Sequence, residues 1–307
     1  MTAASTSSLQ KEHENSRLGP VGLRFRSILV ATDYSPASAT AVKLAARLAK
    51  EFHAHLYVLH AVEPDLYVAD MAGPVPDLQM VNLQAERENL HKYAEHVPDL
   101  RTVKHKQIVF LGSPSDAIQS AGQANGIDLL VVGSHGRHGL AKLALGSVAE
   151  WAIRRLEYPV LVAGPMCEKT FPPIRSIVLA TDFSGEASRS VQYAGSLAQD
   201  YSARLTVMHV LPPTGTPEEQ KVELRTLGKL RELLPSDSGE WCTLQYQVKT
   251  GDIAAAVIGS AQENKANLII LRARHRSTLA DHLPRTKISA IIRGAHCPVL
   301  VVPPHCS

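Results

Sequence analysis

The chain repeats one sequence pattern, and this repetition limits the folds that it can adopt. Three segments occur twice in the same order, namely residues 26–35 and 175–184, residues 56–60 and 205–209, and residues 159–162 and 298–301. Such self-similarity, in a chain of 307 residues, indicates two copies of one domain of about 150 residues each. We therefore predict a disordered tail at residues 1–24, a first domain at 25–165, a linker at 166–173 and a second domain at 174–307.

Within each copy, apolar runs alternate with segments of helical spacing. In the first copy the runs at residues 26–33, 56–62, 103–111, 128–132 and 159–163 predict five strands. Continuous apolar runs are typical of parallel strands that are buried on both faces. Their alternation with helices indicates an α/β fold built from right-handed βαβ units, with helices on both faces of a parallel sheet.

The composition excludes several classes of function. It is 45% hydrophobic and 20% charged, as in ordinary globular proteins. A net charge of +3 and an aromatic content of 5% give no indication of a nucleic-acid partner. No apolar run approaches the roughly 20 residues of a membrane helix, so we expect no membrane partner. The four cysteines form no CxxC pair and the N-terminus lacks an apolar signal core, so we expect a cytoplasmic protein.

A glycine-rich loop follows the fourth predicted strand of the first copy. Gly133, Gly136, Gly146 and Ser147 have the spacing G-x2-G-x9-G-S, directly before a predicted helix. The glycines allow torsions and close approaches that a Cβ would block, and Ser147 can cap the helix. Backbone N–H groups at such a helix start bind anions, most often phosphate. The alternative is a connector that only turns the chain, but the position between a buried strand and a helix favours a phosphate site.

This motif, with Ala-Thr-Asp at residues 31–33, His60 and the closing Pro-Val-Leu-Val, resembles the nucleotide signature of the universal stress protein family. The resemblance runs from about residue 25 to the C-terminus. It implies two tandem doubly wound parallel five-stranded sheets of strand order 3-2-1-4-5, paired through their fifth strands. In this order the winding reverses between strands 1 and 4, and a ligand is expected at their carboxyl ends, where Asp33 and Gly133 lie.

The resemblance to ATP-binding members of the family implies the residues of a nucleotide site. Adenine and ribose would contact Ala31, Thr32, Asp33 and Ala61; the ribose and phosphates would contact Gly133, His135, Gly136 and Arg137; and the phosphate tail would contact Gly146, Ser147 and Val148. Asp33 has an alternative role as a turn or cap carboxylate, and Arg137 as a solvated loop residue. The expected cofactor is ATP, with or without Mg²⁺.

No metal ligand set or catalytic group is predicted. His135 and His138 have no evident third ligand, and His296-Cys297 and His305-Cys306 lack the paired spacing of zinc sites. We interpret His60 and His209, which recur at the ends of the second strands, as residues held by hydrogen bonds. There is no P-loop, dinucleotide fingerprint or nucleophile elbow.

The second copy departs from the glycine motif. Gly133, Gly136 and Gly146 align with Arg272, His275 and Arg285, while Thr286 and Asp182 keep the chemistry of Ser147 and Asp33. Side chains at these positions would occupy the phosphate space, so we predict no ATP binding of the family kind in this half. The basic segment from Arg272 to Lys287 would then bind another anion or a partner, or would simply be solvated.

The leading functional hypothesis is an ATP-binding regulatory protein of the stress response, with one nucleotide site, in the first domain. It would signal through conformational changes or an unknown protein partner, and whole chains would be able to form a homodimer. One alternative is an enzyme, either a slow ATPase or a nucleotidyl transferase. A second alternative is a nucleotide-free scaffold or sensor that acts through protein partners.

Overall fold

The structure, a computed structural model, describes residues 24–63, 76–134, 145–167, 171–183, 188–213, 218–240, 242–273 and 284–303. Within these ranges the strands are β1 (Ser27–Ala31), β2 (His55–Val62), β3 (His105–Leu111), β4 (Leu129–Gly133), β5 (Val160–Ala163), β6 (Ser176–Ala180), β7 (Arg204–Leu211), β8 (Leu244–Thr250), β9 (Leu268–Arg272) and β10 (Val299–Val302). The strands follow the predicted apolar runs. Thr32 and Asp33, predicted as the end of the first strand, lie just beyond β1.

All of these strands form one sheet in the order β3-β2-β1-β4-β5-β10-β9-β6-β7-β8. Strands within each half are parallel, and each half has the predicted order 3-2-1-4-5. β5 and β10 pair antiparallel, with Leu161 opposite Leu300. The two predicted sheets are therefore continuous, because each fifth strand satisfies the backbone groups that the other would leave unpaired at a sheet edge.

The helices connect these strands on both faces of the sheet. They are α1 (Pro36–Phe52), α2 (Pro76–His96), α3 (Pro114–Asn125), α4 (Ser147–Arg155), α5 (Ser188–Asp200), α6 (Glu219–Arg231), α7 (Ile253–Glu263) and α8 (Pro284–Gly294), with short 3-10 turns at Leu100–Thr102 and Ser236–Glu240. Ser35 and Ser113 accept hydrogen bonds from the N–H groups of Ser38 and Asp116, each at 3.2 Å, and a proline follows each serine. A serine cap followed by a proline therefore explains why these two helices begin where they do.

The sheet separates two apolar cores. Helices α1, α2, α5 and α6 cover one face, and α3, α4, α7 and α8 cover the other. Side chains alternate between the faces, so that Ile28 and Val30 pack in the first core while Leu29 packs in the second. This arrangement confirms a doubly wound α/β fold, and it explains why the strands read as continuous apolar runs.

Aromatic side chains also join the two halves. The ring of Phe25 stacks on that of Tyr193 at 5.7 Å, and the ring of Phe52 meets that of Tyr201 edge to face at 5.9 Å. The hydroxyl of Tyr201 donates to a carboxylate oxygen of Glu51 at 2.6 Å. Burial raises the pKa of Tyr201 well above its usual range, and the hydrogen bond to Glu51 raises it further, so the hydroxyl keeps its proton as the donor.

Candidate functional site

The ends of β1 and β4 lie side by side at the point where the winding of the first half reverses. The two strands are parallel neighbours with Val30 beside Val131, so Asp33, after β1, lies at the same edge of the sheet as Gly133, the last residue of β4. From these ends the chain continues into α1 on one face and into α4 on the other. A winding reversal of this kind opens a ligand crevice in doubly wound folds.

Asp33 shapes the turn that leads into α1. Its Oδ1 atom accepts a hydrogen bond from the N–H group of Ser35 at 3.0 Å, and Ser35 then caps the helix. Between them Tyr34 has a φ of 64°, a left-handed conformation that this turn requires. Asp33 thus has the turn role that we considered as an alternative. Its side chain is half-buried at the crevice, and its contact with a ribose stays a prediction.

Thr32 is buried just beyond β1, and its hydrogen bonds connect this strand end to β2 and to the start of α1. Its N–H group donates to the carbonyl of Leu59 at 2.9 Å, and its carbonyl accepts from Nδ1 of His60 at 2.8 Å. Its hydroxyl accepts from the N–H group of Tyr34 and hydrogen bonds with Ser38, both at 3.1 Å. Thr32 has a relative exposure of only 5%, so its role is to hold the strand ends in place. A direct contact of Thr32 with a nucleotide stays a prediction.

His60 is a structural residue at the end of β2, as its repetition predicts. A carbonyl only accepts, so Nδ1 of His60 carries the proton that it donates to Thr32. Its Nε2 atom lies 3.6 Å from a carboxylate oxygen of Glu86, and its ring lies 4.4 Å from that of Tyr34. His209 repeats the bond in the second half, with Nδ1 at 2.7 Å from the carbonyl of Thr181. The predicted hydrogen bonds are confirmed in both halves.

Two alanines line the crevice on the face that α3 and α4 cover. Ala31 ends β1 beside Leu59 of β2, and Ala61 lies two residues further along β2. Both are partly exposed at the edge of the second core. Small side chains at these positions leave room above the strand ends, and their contact with adenine stays a prediction.

Gly133 permits a close approach, as predicted, but the neighbour is part of the protein. A Cβ atom on Gly133 would lie 2.7 Å from the carbonyl carbon and oxygen of Ala37 and 3.0 Å from the nitrogen of Ser38. These are backbone atoms in the first turn of α1. Gly133 therefore lets β4 end directly against α1, which brings the two sides of the crevice together.

Ser134 and Gly146 close the base of the glycine loop. Ser134 is buried, and its N–H group donates to the carbonyl of Ala163 at 3.0 Å. Its own carbonyl accepts from the N–H group of Gly146 at 2.7 Å. The start of α4 is thereby fixed beside the end of β4. His135, Gly136 and Arg137 lie outside the described residues, so their predicted roles are not tested.

The start of α4 corrects one prediction. Gly146, with φ −60° and ψ 146°, is the N-cap and makes no side-chain cap bond, while the exposed Ser147 is the first helical residue. Ser147 therefore does not cap the helix, because it already has helical torsions. The first intrahelical bond joins the N–H group of Glu150 to the carbonyl of Gly146 at 2.9 Å. The N–H groups of Ser147, Val148 and Ala149 thus have no acceptor within α4, which is the geometry of an anion site.

The second half has the corresponding crevice with different chemistry. Asp182 follows β6, and Arg272 ends β9 where Gly133 ends β4. A cavity of about 350 Å³ lies here, and both Arg272 and Lys287 line it. Arg274, His275 and Arg276 of the predicted basic segment lie outside the described residues, as do the side chains of Arg285 and Thr286.

Helix α4 reaches from the first crevice to the second. It begins at Ser147 beside the first crevice, and its residues Glu150, Ile153 and Arg154 line the second cavity. Leu145, directly before the Gly146 cap, also lines that cavity. A displacement of α4 would therefore change both sites.

The residues that the structure describes form neither a metal-site cluster nor a membrane-spanning helix. No group of three or more histidine, cysteine, aspartate or glutamate side chains with the arrangement of a metal site lies among them. None of the described helices combines the length and the apolar character that a membrane crossing requires.

The fold and its crevices define a tandem α/β protein with a potential ligand site at each switch point. The sequence profile of the universal stress protein family matches residues 24–164 and 173–303, so the chain belongs to this family and carries its domain twice.

Known proteins agree with this assignment. Universal stress protein MJ0531 of Methanocaldococcus jannaschii is 32% identical over 138 residues, which is 45% of this chain and 81% of that protein. Universal stress protein Rv2005c of Mycobacterium tuberculosis is 34% identical over 140 residues, or 44% of each chain. The crystal structure of a universal stress protein from Archaeoglobus fulgidus aligns with a TM-score of 0.67 over 92% of this chain and 99% of that one. Its sequence identity is 20%, so this likeness shows the fold alone.

Proposed function

We propose that the chain is an ATP-binding regulatory protein with one nucleotide site, located in the crevice of the first half. The observation that carries the proposal is the start of α4. Its first N–H groups have no acceptor within the helix, its N-cap is a glycine without a side chain, and Gly146 is fixed beside the end of β4. Such a helix start stabilises a negative charge by roughly 0.3–1 kcal/mol at an exposed site.

The rest of the first crevice supports a nucleotide rather than a free anion. The alanines Ala31 and Ala61 leave an apolar surface of the kind that an adenine ring contacts, and Asp33 follows β1, the strand that lies between β2 and β4. A carboxylate accepts hydrogen bonds from the two hydroxyl groups of a ribose. The sequence motif, with Gly136 as its second glycine, supports the same order of base, ribose and phosphates.

Binding, rather than turnover, is the proposed event. Asp33 is the acidic residue that follows β1, and one of its oxygens already holds the turn into α1. The output would be a shift in conformation that a protein partner reads, and its size is limited by how much more tightly ATP binds one state than the other. Helix α4 is suited to this role because it contributes to both crevices.

Calorimetric titration with ATP of the wild type and of two exchange variants tests the proposal. Gly146→Arg places in the first half the residue that the second half has at this position, and we expect at least a tenfold loss of affinity because the side chain enters the phosphate space. Arg285→Gly makes the reverse change in the second half and serves as the matched control, with unchanged affinity for the first site. Absence of ATP binding by the wild type, or full binding by Gly146→Arg, would refute the proposal. A parallel assay of phosphate release separates binding from hydrolysis.

A further inference from the structure

A second kind of cavity lies between the two halves, at the amino ends of the strands and thus at the opposite edge of the sheet from the crevices. Its volume is about 470 Å³, which is within the range of small-molecule sites. Leu129 and Leu268, the first residues of β4 and β9, form part of its wall. Nothing in the nucleotide proposal uses this cavity.

The walls of this inter-half cavity are mostly apolar and come from three parts of the chain. Leu48 and Phe52 belong to α1 of the first half, and Leu197 belongs to α5 of the second. Phe171 and Ile174 belong to the segment that connects the halves. Because each part supplies a wall, the cavity exists only in the tandem chain.

Two basic side chains line the cavity on the second-half side, the exposed Lys265 and the half-buried His296. The N–H group of Ile269 donates to the carbonyl of Pro298 at 3.1 Å, so the segments before β9 and β10 run side by side. Lys265 precedes one strand and His296 precedes the other, and both line the cavity. Lys265 has no ion-pair partner among the described residues. His296 lacks a hydrogen-bond partner for Nδ1 among the described residues, but that atom is enclosed by its neighbours and is not open to the cavity.

The carboxylate on the opposite wall is already occupied. One oxygen of Glu51 accepts from Arg47 at 2.7 Å, and the other accepts from the hydroxyl of Tyr201 at 2.6 Å. Arg47 thus balances the charge of Glu51, and the charge of Lys265 remains. The cavity therefore favours a ligand with one negative charge.

The helix ends near the cavity restrict the anion further. Helices α1 and α7 end beside it, at Phe52 and Glu263, and the carboxyl end of a helix disfavours negative charge. The helix ends would disfavour the two negative charges of a phosphate more strongly than the single charge of a carboxylate, which Lys265 can balance. We propose that the inter-half cavity binds a small amphipathic carboxylate, such as a medium-chain fatty acid. Its apolar chain packs between the halves, and its carboxylate is held by the ammonium group of Lys265.

Titration with decanoate and with the neutral decanol tests this inference on the full chain. We expect saturable binding of one decanoate per chain and a rise in melting temperature. The Lys265→Met variant keeps the apolar stem of the lysine, so decanoate should bind about tenfold more weakly while decanol binds as before. Lys92→Met, which removes an exposed lysine on α2, is the matched control and should change neither affinity.

A blocking variant tests the location. Ile174 is only partly buried, so Ile174→Trp should fold and fill the cavity, with loss of binding for both compounds and unchanged ATP affinity. Decanoate binding that survives Ile174→Trp would overturn the proposed location, and equal binding by Lys265→Met would overturn the proposed carboxylate contact. Many weakly bound molecules per chain, or no saturable binding because a segment of the chain covers the cavity, would overturn the inference as a whole.

Discussion

The two crevices share their supporting residues but differ in the residues that would meet a phosphate. Each half keeps a threonine and an aspartate after its first strand, and a histidine whose Nδ1 donates to the threonine carbonyl, at 2.8 Å in the first half and 2.7 Å in the second. At the end of the fourth strand, however, Gly133 in one half is replaced by Arg272 in the other. The histidine bond therefore belongs to the fold, since it is present with or without the glycine motif.

The comparison also shows that Gly133 has two roles, one in packing and one at the proposed ligand site. Gly133 lies at the proposed ligand site, yet the atoms nearest to its missing Cβ belong to the backbone of α1. Loss of the motif in the second half thus changes how a strand end meets its helix as well as what can bind there. Substitutions that separate stability from binding will sharpen this comparison.

The largest effect on stability is expected from Gly133→Ala. The new Cβ would lie 2.7 Å from backbone atoms of Ala37, and backbone cannot rotate away as a side chain can. We expect a loss of about 3 kcal/mol in the free energy of unfolding, measured by urea denaturation without nucleotide. Arg272→Ala, at the matching position of the second half, should cost less than about 1 kcal/mol. Equal losses for the two variants would mean that the halves do not differ in this contact.

Removal of the strand-end histidine should have the next largest effect. His60→Phe leaves the buried carbonyl of Thr32 without this donor, so we expect a loss of about 2 kcal/mol in the free energy of unfolding. His209→Phe should cost less, because His209 is more exposed than His60. Denaturation curves of both variants measure the difference, and a larger loss for His209→Phe would contradict our view of His60 as the more deeply buried support.

Exchange of the strand-end carboxylates should separate the halves in binding. Asp33→Asn keeps an oxygen that can accept from Ser35, so the turn into α1 should survive. The loss of charge-assisted hydrogen bonds to a ribose should weaken ATP binding about tenfold, or about 1.4 kcal/mol. Asp182→Asn should leave the affinity unchanged within a factor of about two. If calorimetry instead finds the larger loss for Asp182→Asn, the nucleotide site lies in the second half.

The smallest expected effect on stability concerns Asp128 and Asn267, which occupy equivalent positions in the two halves at the other edge of the sheet. Asp128 accepts from the N–H groups of Arg26 and Ser27 at 2.7 and 3.1 Å, and Asn267 accepts from those of Arg175 and Ser176 at 2.8 and 3.1 Å. Burial raises the pKa of Asp128 above its ordinary value, although the backbone hydrogen bonds oppose this shift. The second half thus shows that a neutral amide can hold the same two N–H groups.

Asp128→Asn should therefore raise stability slightly at pH 7. Since the pKa of Asp128 is higher in the folded than in the unfolded state, the folded protein takes up this proton first as the pH falls. The stability that the protonated Asp128 carboxyl contributes is present at acidic pH and is lost as the pH rises through the folded-state pKa. The gain on substitution should stay below about 1 kcal/mol because solvent screens a partly exposed group. Denaturation at pH 7 and at acidic pH measures it, and a clear loss of stability at pH 7 would show that the charge is needed.

Much of the fold could be predicted because its signals are local. A serine followed by a proline identifies the starts of α1 and α3, and apolar runs identify the strands, since capping and burial depend on neighbouring residues. The pairing of the fifth strands could be predicted as well, through the resemblance to the family. The prediction that Ser147 caps α4 is wrong, because Gly146 occupies the cap position although a serine side chain would suit that role.

Contacts between distant segments could not be predicted from the pattern alone. Nothing in the spacing of Gly133 indicates that its neighbour is Ala37, and nothing in α4 indicates that Arg154 lines the cavity of the other half. These contacts depend on how the helices pack after the sheet has formed. The inter-half cavity has no sequence signal for the same reason.

The number of ATP molecules bound per chain tests the central claim most directly. Native mass spectrometry of the full chain counts them at saturating ATP, and a second measurement at an ATP concentration near the wild-type Kd compares the occupancy with that of the Asp33→Asn variant. Our account predicts one ATP per chain in the wild type, with occupancy that falls in the variant. Two ATP molecules per chain, or one that the variant does not affect, would contradict the assignment of a single site to the first half.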